Sequence, residues 1–321
     1  MRNEIKAKRW AYLAGLVDGD GSISLTEFEG PKQVHFFFSV KVTSTQRSQI
    51  NWLVQQFGGQ WERVKDKRER NRPTYSWFVK GTHAKRILEG ILPYLFVKQE
   101  AGRKALEYTS LPPGLENPAL RSQYAKEISK LNTFFVPAVA REIAPLTSES
   151  GKHMSKEKFA YAAGLLDAEG TFSVPTQTAQ SPQIQLSNTD QRMLDWMYHH
   201  FGGITFASKK KNPEHRDAGL WRLSGGRYEK KEYRDHIKKC KVIFLLAILP
   251  YLVQKRAQAI LSLCLLRGDK TSPYCFDEMK KLNQVGTQTT NTPITSSSSE
   301  VKIESDPVGD YGSAPLVTAT A

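Results

Sequence analysis

The stretch WAYLAGLVDGDG at residues 10–21 returns as FAYAAGLLDAEG at residues 159–170. Both copies carry small residues at every fourth position, which places them on one side of a helix. The aligned pairs are Ala11 with Ala160, Gly15 with Gly164, and Gly19 with Ala168. Such a row lets two helices approach until their backbones touch. The repeat therefore predicts two helices packed against each other, and we expect Gly21 and Gly170 to end them as left-handed C-caps.

An acidic residue ends each motif, Asp20 in the first copy and Glu169 in the second. If the two helices pack side by side, both carboxylates meet at one end of the seam, where each raises the pKa of the other unless a cation lies between them. Oxygen ligands of this kind favour Mg²⁺. A single motif would fit solvated terminal acids equally well, but two copies favour a shared site. Asp18 and Asp167 point elsewhere, and we expect them to cap or bond across the seam.

The remainder of the chain repeats in the same order around the two motifs. NWLVQQFGG at 51–59 corresponds to DWMYHHFGG at 195–203, and ILPYL recurs at 91–95 and 248–252. Two long copies indicate a duplicated domain rather than a solenoid, which is built from three or more shorter units. The predicted divisions are a first half at 1–111, a linker at 112–157 with one helix at 120–131, a second half at 158–284, and a disordered Ser- and Thr-rich tail at 285–321.

Alternation of period two between the helices predicts antiparallel hairpins with one buried face. The predicted strands are 22–28, 33–42, 60–67 and 74–80 in the first half and 171–176, 183–187, 204–208 and 219–224 in the second. Predicted helices follow at 46–57, 83–95, 98–109 and 274–283. The sequence thus predicts an α+β fold made of two αββαββα halves.

The composition restricts the partners of the chain. The 321 residues carry a net charge of +14 with a pI near 9.6, which favours a polyanion or an acidic membrane surface. No apolar run reaches the ~18 residues that a bilayer-spanning helix needs, and we expect neither a membrane anchor nor a signal peptide. The three cysteines lack metal-site spacing, so we expect them to be reduced in an intracellular protein.

Polar side chains on the open face of the hairpins suit contacts with base edges in a major groove, although a solvated polar face has the same pattern. The candidates on this face are Ser22, Ser24, Thr26, Gln33, His35, Phe37, Ser39, Lys41, Ser76, Thr171, Ser173, Gln183, Gln185, Ser187 and Arg222. Cationic loops suit phosphate contacts, or else form soluble loop tips. The loop candidates are Arg63, Lys65, Lys67, Arg68, Arg70, Arg72, Lys209, Lys210, Lys211 and Arg216.

With its two motifs, the chain resembles a LAGLIDADG homing endonuclease of the two-motif, single-chain type, over residues 10–111 and 159–267. The resemblance implies that four antiparallel strands of each half curve into a saddle and that the halves pack through the motif helices. It also implies a monomer that binds a long, non-palindromic site in double-stranded DNA and hydrolyses both strands across the minor groove, leaving 3′ overhangs.

The resemblance further implies a divalent metal site. In this family the acid that ends each motif holds the metal together with the carbonyl of the preceding residue, here Asp20 with Gly19 and Glu169 with Ala168. The expected cofactor is Mg²⁺, as about two or three ions at the seam, with Mn²⁺ or Ca²⁺ able to take the same place. Glutamate replaces the usual aspartate in the second motif, and its longer side chain still reaches a metal.

Four further residues match positions that support catalysis in this family. Lys98 and Lys255, each shortly after ILPYL, match a lysine that stabilises the transition state or positions water. A polar residue at the end of the second strand supports the water network, and the matches are Ser44 and Asn188. Serine is shorter than the residue usually found there.

The same fold in this family also serves RNA maturases, which help a host intron to splice. The alternative function is therefore that of a maturase, whose partner would be intron RNA. The presence of both acids favours DNA cleavage, because a protein that only binds RNA does not need them. We expect an intracellular location, in a chloroplast or mitochondrion if the host is eukaryotic and in the cytoplasm otherwise. The target sequence does not follow from the residues.

Overall fold

The computed structural model describes residues 2–29, 34–64, 73–112, 117–133, 136, 141–144, 154–208, 218–223 and 231–284. All of these lie in one compact unit, Met1–Gln288. The predicted tail at 285–321 lies outside the described residues. So do these predicted DNA contacts: Gln33, Lys65, Lys67, Arg68, Arg70, Arg72, Lys209, Lys210, Lys211 and Arg216.

The first half begins with the first motif helix and continues as two hairpins with helices behind them. Its elements are α1 (Arg2–Asp20), β1 (Gly21–Glu29), β2 (Val34–Ser44), α2 (Arg47–Phe57), β3 (Gln60–Val64), β4 (Thr74–Lys80), α3 (Gly81–Ile91) and α4 (Gln99–Thr109). The strands form an antiparallel sheet in the order β1-β2-β4-β3. The predicted order of elements is confirmed in this half.

The linker and the second half follow the same plan with additions. Their elements are α5 (Pro118–Thr133), β5 (Arg141–Ala144), α6 (Lys156–Glu169), β6 (Gly170–Ser173), β7 (Gln183–Asn188), α7 (Gln191–Phe201), β8 (Gly203–Ser208), β9 (Ala218–Arg222), α8 (Lys231–Ile248), α9 (Arg256–Arg267) and α10 (Ser272–Gln284). The antiparallel sheet has the order β5-β8-β9-β7-β6. Four of its strands are the predicted ones. The sequence did not predict β5, which the linker adds at the edge of β8.

The two motif helices, α1 and α6, pack backbone to backbone as predicted. A Cβ at Gly15 would lie 2.2 Å from the carbonyl oxygen of Tyr161, and a Cβ at Gly164 would lie 2.2 Å from that of Tyr12. Real Cβ atoms do not approach a carbonyl oxygen so closely, so only glycine fits at the crossing. The seam is therefore a direct consequence of the small residues in the motif.

The glycines that follow the two helices act differently from the prediction. Neither Gly21 nor Gly170 has a positive φ, and Gly170 is extended at φ −78° and ψ 158°. The expected left-handed C-caps are wrong, because each glycine starts a strand. A Cβ on Gly21 would lie 2.5 Å from Cα of Val17, and one on Gly170 would lie 2.5 Å from the carbonyl oxygen of Leu166. These positions need glycine for space, since each strand turns back over the helix that it leaves.

The two sheets keep a common internal framework. Trp77 on β4 and Trp221 on β9 are fully buried, and each indole N–H donates to a glycine carbonyl, that of Gly58 at 2.7 Å and that of Gly202 at 2.8 Å. Both glycines have a positive φ, near 70°, and each follows the helix that precedes the second hairpin. Among the described residues, no helix is both long and apolar enough to cross a membrane.

Candidate active site at the helix seam

The two motif acids come to the same end of the seam. Asp20 is the last residue of α1 and Glu169 is the last residue of α6. A Cβ at Gly19 would lie 2.5 Å from Cβ of Ala168 and 3.5 Å from Cγ of Glu169, so the last turns of the helices touch. Asp20 is exposed and Glu169 is half-buried. The fold thus joins two carboxylates that lie far apart in sequence.

Both carboxylates resist ionisation. Burial, and next to it the charge of Asp20, raises the pKa of Glu169 to about 7. Although Asp20 keeps contact with solvent, the protein around its carboxyl group removes part of its hydration and so raises its pKa, while the nearby charges of Lys255 and Lys98 act in the opposite direction. The positive charges of the two lysines are not enough to bring the pKa values of the acids back to their ordinary range. The site is therefore suited to a bound cation, which would stabilise the ionised form of both carboxylates.

A lysine lies against the end of each motif helix. Lys98 Nζ donates to the carbonyl oxygens of Val17 and Asp18, both at 2.7 Å, and Lys255 Nζ makes the equivalent bonds to residues 166 and 167 at 2.7 and 2.8 Å. Burial lowers the pKa of both lysines. Each ammonium group therefore occupies the negative end of a helix dipole and adds positive charge beside the acids.

Asp18 joins three elements around the first lysine. Its carboxylate accepts the backbone N–H groups of Phe96, Val97 and Lys98 at 2.8–3.1 Å and the hydroxyl of Tyr161 at 2.7 Å. Because Lys98 precedes α4 directly, the carboxylate also caps that helix. The tyrosine comes from α6, so one of these bonds crosses the seam.

Asp167 repeats this arrangement in the second half. It accepts the backbone N–H groups of Val253, Gln254 and Lys255 at 2.7–3.0 Å and the hydroxyl of Tyr12 at 2.8 Å. The predicted structural role of both aspartates is confirmed, since each caps a helix and bonds across the seam. The pair also fixes the backbone from which each lysine extends.

Asn188 and Ser44 occupy equivalent strand ends but contact different groups. Asn188 Nδ2 donates to Glu169 Oε1 at 3.1 Å, and its Oδ1 accepts the backbone N–H of Asp190 at 2.8 Å. Ser44 is buried, and its hydroxyl oxygen accepts the backbone N–H of Gln46 at 3.1 Å. Both side chains hold the turn after the strand, but only asparagine has a second polar group, and that group reaches the acid.

The residues at the seam fit a hard divalent cation with an incomplete protein shell. Among the described residues there is no group of three or more His, Cys, Asp or Glu side chains placed to hold a metal. A cation here would use Asp20 and Glu169, the carbonyl oxygens of Gly19 and Ala168, and ligands from water and substrate, as Mg²⁺ sites commonly do. The raised pKa of each carboxylate agrees with this use, because a bound cation stabilises the ionised form.

The predicted DNA contacts in the first sheet lie mainly on the open face. Phe37 is 48% exposed, Ser24 and Ser39 share a hydrogen bond at 2.9 Å, and Lys41 lies 3.7 Å from Glu62. Other candidates with solvent contact in this sheet are Ser22, Thr26 and Arg63. His35 lies on β2 opposite Phe28.

Ser76 does not fit its predicted surface role. It is fully buried, and its hydroxyl has no hydrogen-bond partner among the described residues. Its position on β4 alternates with that of buried Trp77, so the strand pattern alone assigned it to the open face. Ser76 lies on a central strand, between Thr43 of β2 and Glu62 of β3.

The open face of the second sheet carries the remaining candidates. Thr171 and Ser187 are exposed, and Ser173 and Gln183 are half-buried. Arg222 and Gln185 contact each other through their side chains. The sequence did not single out Phe206 on β8, which is 41% exposed with its ring centroid 5.6 Å from the Arg222 guanidinium carbon. Alternation gives no signal for this exposure, because Phe206 shares its phase on the strand with buried Ile204.

No protein-family model matches this sequence, and no curated protein matches it significantly. Solved structures do match its fold. The meganuclease I-SmaMI bound to uncleaveable DNA is 14% identical over 87% of this chain and 98% of that chain, with a TM-score of 0.54. A lysine-to-alanine mutant of I-SmaMI is 15% identical over 87% and 97%, with a TM-score of 0.51.

A third structure, the LAGLIDADG meganuclease I-AabMI bound to uncleaved DNA, is 13% identical over 86% of this chain and 98% of that chain, with a TM-score of 0.44. The structural neighbours are LAGLIDADG homing endonucleases, and several of them cover most of this chain in single-chain, two-domain form. At these identities the likeness establishes the fold, and the predicted resemblance is confirmed at that level.

Proposed function

We propose that the chain is a site-specific double-strand DNA endonuclease of the homing type, which hydrolyses phosphodiesters with divalent metal ions. The observation that carries the proposal is the meeting of Asp20 and Glu169 at the seam between two similar sheets. A duplex has two-fold related backbones, so an acid from each half is placed to serve one strand. The neighbour I-SmaMI was solved bound to DNA, which supports the same substrate.

The carboxylates of Asp20 and Glu169, with the carbonyls of Gly19 and Ala168, would hold Mg²⁺. A metal held there would supply an activated water and charge stabilisation for the leaving oxygen. Cuts by the two halves that are offset across the minor groove would leave 3′ overhangs. The protein contributes the positions of these groups and the positive charge of Lys98 and its counterpart in the second half. Their Nζ atoms bond to backbone carbonyls at the ends of the motif helices, so each ammonium group would add fixed positive charge next to a phosphate bound at the acids.

Asn188 is proposed to hold Glu169 in the geometry needed at the metal. The structure supports a weaker role for Ser44, because its hydroxyl is engaged with the backbone of Gln46. The two active-site positions are therefore proposed to differ in rigidity. Lys255 completes the second position as Lys98 does the first.

The DNA-binding surface is proposed to be the open faces of the two sheets together with the cationic loops. A net charge of +14 supplies non-specific attraction to phosphates, so binding should weaken steeply as salt rises. One chain already contains both halves, so a monomer suffices for a long site. Because the polar residues of the two faces differ, the proposed site is non-palindromic.

The experiment is selection on a randomised duplex library with Mg²⁺, followed by sequencing of cut ends. Wild-type protein should cut one family of sequences on both strands, EDTA should stop the reaction, and Asp20→Asn and Glu169→Gln should still bind but not cut. Glu100→Gln, on the outer face of α4, is the matched control and should cut normally.

Intron RNA is the alternative partner, in a maturase that binds RNA without cutting DNA. The same protein preparations would be tested for binding to structured RNA in parallel with the duplex library. Tight RNA binding together with duplex that is bound and never cut would overturn the endonuclease proposal in favour of the maturase.

A further inference from the structure

Arg222 is held in a fixed orientation on the open face of the second sheet. It lies on β9 directly opposite Gln185 on β7, and the flanking residue Trp221 points into the core. Arg222 Nε and Nη2 both donate to Gln185 Oε1, at 3.3 and 3.2 Å. The guanidinium carbon also lies 5.6 Å from the ring centroid of Phe206. Two strands thus restrain one cationic side chain.

This arrangement leaves hydrogen-bond donors facing outward. A guanidinium has five N–H groups, and the contact with Gln185 uses the Nε–H and one of those on Nη2. Within the part of the chain that the structure describes, the edge formed by Nη1 and Nη2 keeps three N–H groups for a ligand. Gln185 has committed its acceptor oxygen to the arginine, so its amide nitrogen is the group left to point at a ligand. The cluster therefore presents donors and no acceptor.

A donor-only edge matches guanine. In the major groove guanine presents two adjacent acceptors, N7 and O6, whereas adenine pairs an acceptor with a donor. The Nη1–Nη2 edge of arginine bonds both guanine acceptors together. We infer that Arg222, positioned by Gln185, selects a guanine in the half of the target that meets the second sheet; this rests on the proposed DNA-binding function.

The equivalent position in the first sheet has different chemistry. Phe78 pairs with Lys41 there, in the same register in which Arg222 pairs with Gln185. Phe78 offers no hydrogen-bond donor, and Lys41 lies 3.7 Å from Glu62, whose carboxylate is an acceptor. An adjacent donor and acceptor do not match the two acceptors of guanine. The guanine preference is thus assigned to one half of the target only.

The test compares binding specificity across a library that covers every base at every position of a selected duplex. Wild type should require guanine at one position in one half, and each other base there should weaken binding by roughly 10- to 100-fold. Arg222→Lys keeps the positive charge but loses the paired N–H donors of Nη1 and Nη2. Binding to guanine at this position should then be within about threefold of binding to the other bases, while preferences at other positions stay unchanged. Gln185→Ala should weaken the same preference partly. Lys41→Ala changes the equivalent contact of the first sheet, so it should alter selection only in the other half of the target and leave this guanine preference intact.

The possible results separate this inference from the proposed function. If wild type selects no duplex sequence, the proposed function fails. If wild type selects a site but Arg222→Lys keeps an unchanged preference at every position, the guanine assignment is overturned. If Gln185→Ala equals wild type while Arg222→Lys loses the preference, Arg222 reads the base and the positioning role of Gln185 is wrong. Circular dichroism that matches wild type confirms that each variant is folded.

Discussion

The two halves are nearly identical in the framework that joins them and different at the strand ends beside the motif acids. Each has a glycine at the helix crossing, an aspartate that caps a helix, a lysine on the carbonyls of the motif helix and a tryptophan bonded to a glycine carbonyl. In contrast, Asn188 donates to Glu169, whereas the Ser44 hydroxyl accepts from the backbone of Gln46. The comparison indicates that the shared framework fixes the backbone, and that residues outside this framework differ between the halves.

The largest expected effect comes from the shared seam. Gly15→Ala and Gly164→Ala should each lower the free energy of unfolding by about 3 kcal/mol or more, because the new methyl group meets the backbone of the other helix. Urea unfolding followed by circular dichroism measures this loss. Gly102→Ala is the control, since its neighbours there are the ends of leucine side chains. A loss below 1 kcal/mol in both seam variants would contradict the packing described for α1 and α6.

The next effect concerns the two structural aspartates. Asp18→Asn and Asp167→Asn should each cost about 2–3 kcal/mol, because the amide places N–H groups against backbone donors in a buried network. Equal losses would support equivalent roles in the two halves. Tyr161→Phe and Tyr12→Phe remove one bond each and should cost about 1 kcal/mol. If either aspartate variant had the same free energy of unfolding as wild type, that aspartate would not have the stabilising role that its hydrogen bonds indicate.

A smaller effect is the pH dependence that Glu169 introduces. Its pKa of about 7 lies above the ordinary 4.5, so between these values the native state binds a proton more tightly than the unfolded state. Without divalent metal, the contribution of Glu169 to stability should therefore fall as pH rises from about 4.5 to 7, by about 1–2 kcal/mol with partial solvation allowed for. Burial lowers the pKa of His200 to about 4, which gives a slope of opposite sign in nearly the same range. The effect of Glu169 is therefore measured as the difference in the free energy of unfolding between wild type and Glu169→Gln.

The difference in stability between wild type and Glu169→Gln should fall by this amount from pH 4.5 to 7, whereas the difference between wild type and Glu89→Gln, an exposed change on α3, should not change with pH. Added Mg²⁺ should reduce the pH dependence of the first difference, because a bound cation stabilises the carboxylate. A difference between wild type and Glu169→Gln that stays constant across this range would contradict the environment described for this acid.

The smallest effect tests the asymmetry between the strand ends. Asn188→Ser makes the second position resemble the first, and should slow cleavage of one strand by about three- to tenfold because one hydrogen bond to Glu169 is lost. Nicking of end-labelled duplex, read strand by strand, measures the change. Ser44→Asn is the reciprocal variant and should not slow either strand. Equal slowing of both strands in Asn188→Ser would remove the assignment of one acid to one strand.

The sequence predicted the framework well because the framework depends on local patterns. Small residues at every fourth position specified the seam at Gly15 and Gly164, and alternation of period two specified the eight main strands. Predictions from the sequence were wrong or missing where tertiary contacts determine the local structure. Gly21 was expected to have a left-handed backbone, but its strand doubles back over Val17 and needs space instead. The short strand β5 forms only because the edge of β8 offers it a partner.

The candidate site was predictable in its acids but not in its surroundings. Asp20 and Glu169 end two copies of one motif, which brings them together without further information. The burial of Ser76 could not be predicted from the sequence, because alternation along a strand shows which face a residue occupies and not how exposed that face is. The contact between Gln185 and Arg222 required the register of β7 and β9, which depends on long-range pairing.

The proposal depends most on divalent metal bound at the end of the seam by the acids of both halves. Its most direct test is a crystal structure of the protein with its selected duplex and Mn²⁺, read by anomalous scattering. The account predicts anomalous peaks within about 2.2 Å of carboxylate oxygens of both Asp20 and Glu169, and their loss in Asp20→Asn with Glu169→Gln. Bound and cut DNA without manganese at these two carboxylates would contradict it.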